Sequence, residues 1–269
     1  MRIHVVDAFT DRPFAGNPAA VCVLAGPAEP GWMQRVAMEM NLSETAFPRP
    51  LEDAEADFEL RWFTPKVEVA LCGHATLASA HVLYENGTVP PDRPIRFRTL
   101  RSGVLTVHRD GGLFAMDFPA CPPDRVDAPA GLAEALGAES SWTGRNGQND
   151  LLAVLDDAEA VRALAPDSSA LARLDARGIC VTAAGTGTGY DFVSRFFAPA
   201  SGVAEDPVTG SAHCMLAPFW AERLGRTEMR AHQASPRGGD VGVTVRGDRV
   251  ILRGGAVTVL EGTLRAVRP

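Results

Sequence analysis

Glu44 is the only acid between Glu39 and Glu52, in the run Asn41-Leu42-Ser43-Glu44-Thr45-Ala46-Phe47. A strand over Leu42–Phe47 places it on one face with Leu42 and Ala46. A carboxylate in that company can take a proton from carbon and then return it, acting as general base and then general acid. On an edge strand the same group would face water. His74 follows Gly73 at the head of Ala75-Thr76-Leu77-Ala78-Ser79-Ala80-His81-Val82-Leu83. At a helix start the positive field favours a neutral ring, able to donate or accept a hydrogen bond. As a metal ligand it lacks a neighbour, since His81 lies seven residues further along the helix. His4, His81, His108, His213 and His232 read as structural or exposed.

The second cluster is Asp206-Pro207-Val208-Thr209-Gly210-Ser211. Proline fixes the chain, Thr209 or Gly210 falls near a helix N-cap, and Ser211 brings a hydroxyl into the first turn. Taken alone, this is also how an ordinary helix start with an acid near its dipole looks. Cys72 stands at the first helix start, where a thiol pKa falls and a nucleophile is possible. A buried, inert thiol is the alternative reading. The loop Gly185-Thr186-Gly187-Thr188-Gly189 lacks the Gly-Lys-Ser/Thr ending of a phosphate loop and precedes a strand, so it reads as a flexible hairpin over a cleft.

The elements that must hold these groups repeat. Arg61-Trp62-Phe63-Thr64-Pro65 is echoed 134 residues later by Arg195-Phe196-Phe197-Ala198-Pro199, in a chain of 269. Each phrase leads through a loop to a glycine and then to a stretch without formal charge, Ala75–Leu83 and Ser211–Ala221. A helix with no charged face is a buried one. Its first amides and positive dipole end remain available to an anion. Two copies of a strand-loop-glycine-helix unit predict an α+β protein of two pseudo-symmetric lobes, over 1–118 and 119–269, with the last strand, about 258–269, returning to the first lobe. Helices are expected at Glu29–Asn41, Ala75–Tyr84 and Ala212–Leu224, the last kinked by Pro218. Strands are expected at Phe58–Thr64, Tyr190–Phe197 and Ala256–Val267, among others, with a linker at Pro119–Pro129.

A composition of 46 % hydrophobic and 22 % charged residues is that of a soluble globular protein. The net charge of −7 argues against nucleic acid or an anionic membrane as partner. Five scattered cysteines, none at metal spacing, suit neither a disulfide framework nor a zinc knuckle. The N-terminal residues read as a strand, with no apolar leader, which makes a reduced, cytoplasmic setting the expectation.

Five motifs in register resemble the phenazine-biosynthesis isomerase family, the PhzF-like proteins: Asp7-Ala8-Phe9-Thr10, Phe14-Ala15-Gly16-Asn17-Pro18-Ala19-Ala20-Val21, Asn41 to Phe47, Cys72-Gly73-His74-Ala75-Thr76-Leu77, and Glu205 to Ala212. The resemblance implies a diaminopimelate-epimerase-like fold, in which each lobe wraps a curled, mostly antiparallel sheet around a central helix. It implies a site in the cleft between lobes, a small carboxylate-bearing substrate, no metal and no organic cofactor. It assigns catalysis to Glu44, His74, Asp206 and Ser211, and substrate binding to Asn17, Gly73, Ala75, Thr209 and Gly210. Related epimerases and proline racemases use two opposed cysteines. Here Cys72 occupies one such position and Thr209 the other, so one carboxylate fits better than a thiol pair. A thiol-dependent racemase through Cys72 and a non-catalytic ligand-binding protein are the alternatives, and the chain is expected as monomer or homodimer.

Overall fold

The structure, a computed structural model, describes residues 1–265. The chain forms two compact units, Met1–Asp117 with the segment from Arg253 onward, and Phe118–Leu252.

In the first unit β1 (Arg2–Ala8) and β2 (Asn17–Val21) precede α1 (Pro30–Met40) and β3 (Glu44–Pro50). β4 (Phe58–Phe63), the two-residue β5 (Glu68–Val69) and α2 (Gly73–Glu85) follow. β6 (Ile95–Arg98), β7 (Val104–Asp110) and β8 (Leu113–Pro119) complete this stretch. Among the described pairings of this unit, neighbouring strands are antiparallel except at two places. β2 runs parallel to β3 after the crossover through α1, and β4 runs parallel to β6 after the crossover through α2. A parallel pair needs such a connection, because no tight turn can join its ends. From Gly73 to Tyr84, α2 holds no Asp, Glu, Lys or Arg, and almost every residue from His74 to Leu83 is buried against β1, β2 and β3. Its polar groups turn inward on the helix: Thr76 Oγ1 donates to the Cys72 carbonyl at 2.6 Å and Ser79 Oγ to that of Ala75 at 2.7 Å. On the other face, α1 sets Trp32, Met33 and Val36 against Ala20, Phe47 and Phe63.

The second unit repeats the scheme. β9 (Asp124–Arg125), α3 (Leu132–Leu136), β10 (Trp142–Arg145) and β11 (Asp150–Val154) come first. The short helices α4 (Ala158–Ala163) and α5 (Ser168–Leu171) carry the chain to β12 (Gly178–Ala184), parallel to β11. After β13 (Phe192–Ala198) and β14 (Val203–Asp206), α6 (Gly210–Leu224) carries it to β15 (Glu228–Gln233), parallel to β13. β16 (Gly239–Arg246) pairs antiparallel with β15, and β17 (Arg249–Gly254) spans the change of unit. Among the described residues each unit therefore holds two parallel pairs, and the second pair in each is joined through the largely buried helix, α2 or α6. β18 (Ala256–Thr263) belongs to the first unit and lies antiparallel to β1, with Arg2 opposite Thr263.

Several expected boundaries move. Glu44 opens its strand instead of lying inside it, because Asn41 ends α1 in a left-handed conformation (φ 49°) and Leu42-Ser43 form a bend. α2 and α6 begin at their glycines, each two residues early. α6 runs through Pro218 to Leu224. The proline-rich stretch includes β9, and Val203–Asp206 is a strand where a plain loop leading to the helix was expected. The C-terminal strand ends at Thr263, and the part of its expected span at 266–267 lies outside the described residues. Among the described residues no helix is long and apolar enough to cross a membrane.

Candidate functional site

Three element starts meet in the first unit. Asn17 opens β2, Glu44 opens β3, and Cys72 is the N-cap of α2. Asn17 is delivered by a tight turn. Phe14 adopts φ 68° and its N–H donates to the buried Asp7 carboxylate at 2.7 Å. Gly16 follows at φ 63°, where a Cβ would come within 2.1 Å of the Ala8 carbonyl oxygen, so only glycine makes this turn. The Asn17 side-chain amide then lies 3.2 Å from Nδ1 of His74. On the other side of the ring, Nε2 meets Oε2 of Glu44 at 3.1 Å. The histidine side chain is 6 % exposed and the glutamate 17 %, so the carboxylate keeps the route to solvent.

The helix start has no N-cap side-chain bond, and Cys72 has an extended backbone (φ −146°, ψ 109°). The first-turn amides, which lack intrahelical acceptors, are thus directed out of the end of α2 with the positive dipole. Two electrostatic expectations are overturned here. Burial opposes a charge on His74, but the Cys72 sulfur and the Glu44 carboxylate more than offset it, and its pKa is raised well above the ordinary imidazole value. An anion at hydrogen-bond distance outweighs a helix end, so the charged ring is favoured over the neutral one. The Cys72 thiol is pushed up to about 11, first by burial and then by Glu44, where a depressed value was expected. At neutral pH it keeps its proton.

In the second unit, Thr209 is the N-cap of α6, with a similar extended backbone (φ −114°, ψ 106°) and again no side-chain cap. Its hydroxyl donates instead to Oδ2 of Asp206 at 2.6 Å. Ser211 Oγ accepts from Arg177 at 3.2 Å, and Arg177 also binds the buried Asp150 carboxylate. Neither Arg177 nor Asp150 carried a sequence signal. Gln233 was missed as well: fully buried at the end of β15, it binds Thr209 and the Asp206 carbonyl through its amide. The Gly185–Gly189 segment is the β12–β13 connection, closed by Gly185 N–H to the Asp191 carbonyl at 2.9 Å. His213 is buried, as a structural histidine would be, with Nδ1 donating to the Thr209 carbonyl at 2.8 Å.

The strand registers compare the two halves. Thr45 faces Phe63 and Ile179 faces Phe197. Since Phe63 and Phe197 hold the same place in the echoed phrases, Gly178 is the counterpart of Glu44. A Cβ at Gly178 would sit 2.2 Å from the Phe196 ring, so a side chain there would require that ring to move. The carboxylate is present in one half only.

These features define an α+β protein with a curled sheet in each half and, at one helix start, a half-buried carboxylate paired with a buried histidine. A structure of a hydroxyproline epimerase from Agrobacterium vitis has this fold, with TM-score 0.65 at 12 % identity over 97 % of this chain and 91 % of that one. The family model for phenazine biosynthesis-like proteins matches residues 6–262, and the chain belongs to that family, the PhzF family. An uncharacterized isomerase of Halalkalibacterium halodurans is 51 % identical over 263 residues, covering 97 % of both chains. The crystal structure of a PhzF-family protein from Enterococcus faecalis superposes with TM-score 0.90 at 42 % identity, covering 97 % of both.

Proposed function

We propose that this protein is an isomerase that moves a proton between carbons of a small carboxylate-bearing metabolite, with Glu44 as its single acid and base. The 3.1 Å contact between Glu44 and His74 carries the reading. It presents a half-shielded carboxylate, oriented by a charged partner, beside a helix start whose first amides lack intrahelical acceptors. Glu44 removes a proton from carbon and returns it to another carbon of the same π-system, while amides near Gly73 and Ala75 stabilise the negative charge that develops. In the second unit, Asp206, Thr209, Gly210 and Ser211 hold and orient substrate. Asn17 fixes the His74 ring.

General acid–base catalysis by a positioned group is worth about 10²–10⁴-fold. Pre-organised donors aimed at developing charge add a further ~10²–10³-fold each. The glycine at the Glu44-equivalent position supports one carboxylate in place of two opposed bases. No organic cofactor enters this scheme. The relative named an isomerase is consistent with it.

A thiol-dependent racemase needs an ionised Cys72, and a pKa of about 11 works against that. The test is carbon-bound hydrogen exchange in deuterated water across a panel of small amino-substituted and cyclic carboxylates. Turnover with deuterium incorporation marks a catalyst, and binding without it marks a ligand-binding protein. Glu44→Gln keeps the side-chain shape and is expected to abolish exchange while ligand still binds. Exchange that survives this substitution overturns the mechanism.

A further inference from the structure

Arg177 stands immediately before β12, and its guanidinium makes all of its hydrogen bonds through one nitrogen. Nη2 donates to the Asp150 carboxylate, to Gln148 Oε1 at 3.2 Å and to Ser211 Oγ at 3.2 Å. Nε and Nη1, which carry three of the five N–H donors, have no hydrogen-bond partner among the described residues. The ion pairs of Arg61 and Arg195 are built differently. Each engages both oxygens of its glutamate through Nε and Nη2, and those arginine side chains are 14 % and 10 % exposed, against 42 % for Arg177. An arginine that served only to neutralise Asp150 would gain by the same two-pronged grip. Asp150 is instead fully buried and holds Arg177 through Oδ2 alone, so it anchors the guanidinium and leaves most of its donors open. The guanidinium also lies over Phe196, 5.9 Å from the ring centre, and that ring occupies the space a side chain at Gly178 would need. The second unit thus sets a cation next to the position that carries Glu44 in the first.

We propose that Arg177, together with the Ser211 hydroxyl, binds a carboxylate of the substrate and sets the preference for an anion over a neutral compound of the same shape. This rests on the reading that the start of α6 holds substrate. Ser211 is the second residue of that helix. Because its Oγ accepts from Arg177, its own O–H is left to donate, and no acceptor for it lies among the described residues. Nη1 of Arg177 and Oγ of Ser211 therefore offer neighbouring donors with no protein acceptor competing for them. A carboxylate answers them with two oxygens, and a hydrogen bond from a guanidinium to such an anion is about twice as strong as a neutral one. A primary amide of the same outline replaces one of those oxygens by a donor, which meets donors. The grip is the same before and during proton transfer, so it acts on KM and leaves kcat alone.

The test sets each carboxylate of the exchange panel against its primary amide. Calorimetric titration of the full chain at pH 7.5 should give the tightest-binding carboxylate at least a tenfold advantage over its amide. Two variants probe the arginine. Arg177→Gln combined with Asp150→Asn removes both charges and leaves no buried carboxylate unpaired, whereas Arg177→Lys keeps a cation for Asp150 but loses the planar fork. Both should weaken the carboxylate by about 10–100-fold and the amide by less than about threefold. In turnover both should raise KM, with kcat within about threefold of the natural chain. Circular dichroism and urea unfolding check that each variant folds. Equal losses for carboxylate and amide, or a carboxylate preference kept in both variants, overturn the assignment. So does failure of every carboxylate in the panel to bind at millimolar concentration. A preference that depends on Arg177 while exchange persists in Glu44→Gln would sink the acid–base reading and leave the carboxylate grip standing. Exchange abolished in Glu44→Gln, with the preference unmoved by either Arg177 variant, would do the reverse.

Discussion

Arg195 holds Glu205 through a two-pronged ion pair, Nε to Oε1 at 2.7 Å and Nη2 to Oε2 at 2.9 Å. Arg61 holds Glu68 in the same manner, at 2.7 and 2.8 Å. Each guanidinium also lies over the ring two residues on, 5.0 Å from the centre of Phe197 and 5.3 Å from that of Phe63. Both glutamates stand five residues before the glycine that opens the buried helix. The arginine of each echoed phrase thus ties down the short strand that leads into a helix start.

The two anchors should differ in cost. The Arg195 pair is the more buried, with side chains 10 % and 17 % exposed, and Arg195 also donates to the Leu164 carbonyl at 2.6 Å. Arg195→Ala strands a carboxylate with little access to water, and is expected to cost about 3–5 kcal/mol in urea unfolding. The Arg61 pair is 14 % and 28 % exposed. With more solvent screening, Arg61→Ala is expected to cost on the order of 1–2 kcal/mol. Two losses both below ~1 kcal/mol would mean that neither helix start depends on its anchor.

Gln233 secures the second helix start from behind. Its Oε1 accepts the Thr209 N–H at 2.8 Å, and its Nε2 donates to the Asp206 carbonyl at 2.7 Å and to the Thr209 hydroxyl at 3.1 Å. Gln233→Leu fills the space but leaves these groups without their partner, at about 1–3 kcal/mol for each unsatisfied group. The expected outcome is a loss of several kcal/mol in chemical denaturation, with a rise in KM larger than the fall in kcat at temperatures where the variant is folded. An unchanged KM would separate Gln233 from substrate binding.

What the sequence made legible follows from its physics. Uncharged helices announce burial, and glycines at helix starts announce the α2 and α6 entries, so the α+β scheme and the helix-head residues could be read directly. The glutamates that answer Arg61 and Arg195 could not, because a bidentate pair across two strands leaves no periodic trace. Gln233 and Arg177 are equally silent, since each acts through a partner remote in sequence. The protonation of His74 was misjudged for the same reason: the helix end is a local feature, whereas the Glu44 carboxylate arrives from another strand.

Cys72 and His74 adjoin the same carboxylate and should respond differently to substitution. The thiol keeps its proton to about pH 11, so Cys72→Ser replaces one neutral hydrogen-bonding group by another. Its effect on exchange is expected to stay below about tenfold. His74→Gln removes the charged partner of Glu44 and should lower kcat by about 10²-fold, the scale of one lost electrostatic contact at a reacting centre. Reversal of that order, with Cys72→Ser the more damaging in single-turnover exchange, would favour the thiol mechanism.

His213 makes stability depend on pH. Burial drives its pKa down to about 4, with the bond to the Thr209 carbonyl opposing only in part, and its Nε2 has no hydrogen-bond partner among the described residues. The folded protein therefore keeps the ring neutral, whereas the unfolded chain protonates it near the ordinary value of about 6.5. Between those values the unfolded state binds the extra proton, so stability is full above about pH 6.5 and falls as the pH drops towards 4. The gap corresponds to on the order of 3 kcal/mol, of which about 2 kcal/mol should be gone by pH 5. His213→Gln can still donate to the Thr209 carbonyl but does not titrate. Urea unfolding at pH 7.5 and pH 5 should show a smaller loss for the variant than for the natural chain, by about that 2 kcal/mol. Equal losses in the two proteins would assign the acid sensitivity to other groups.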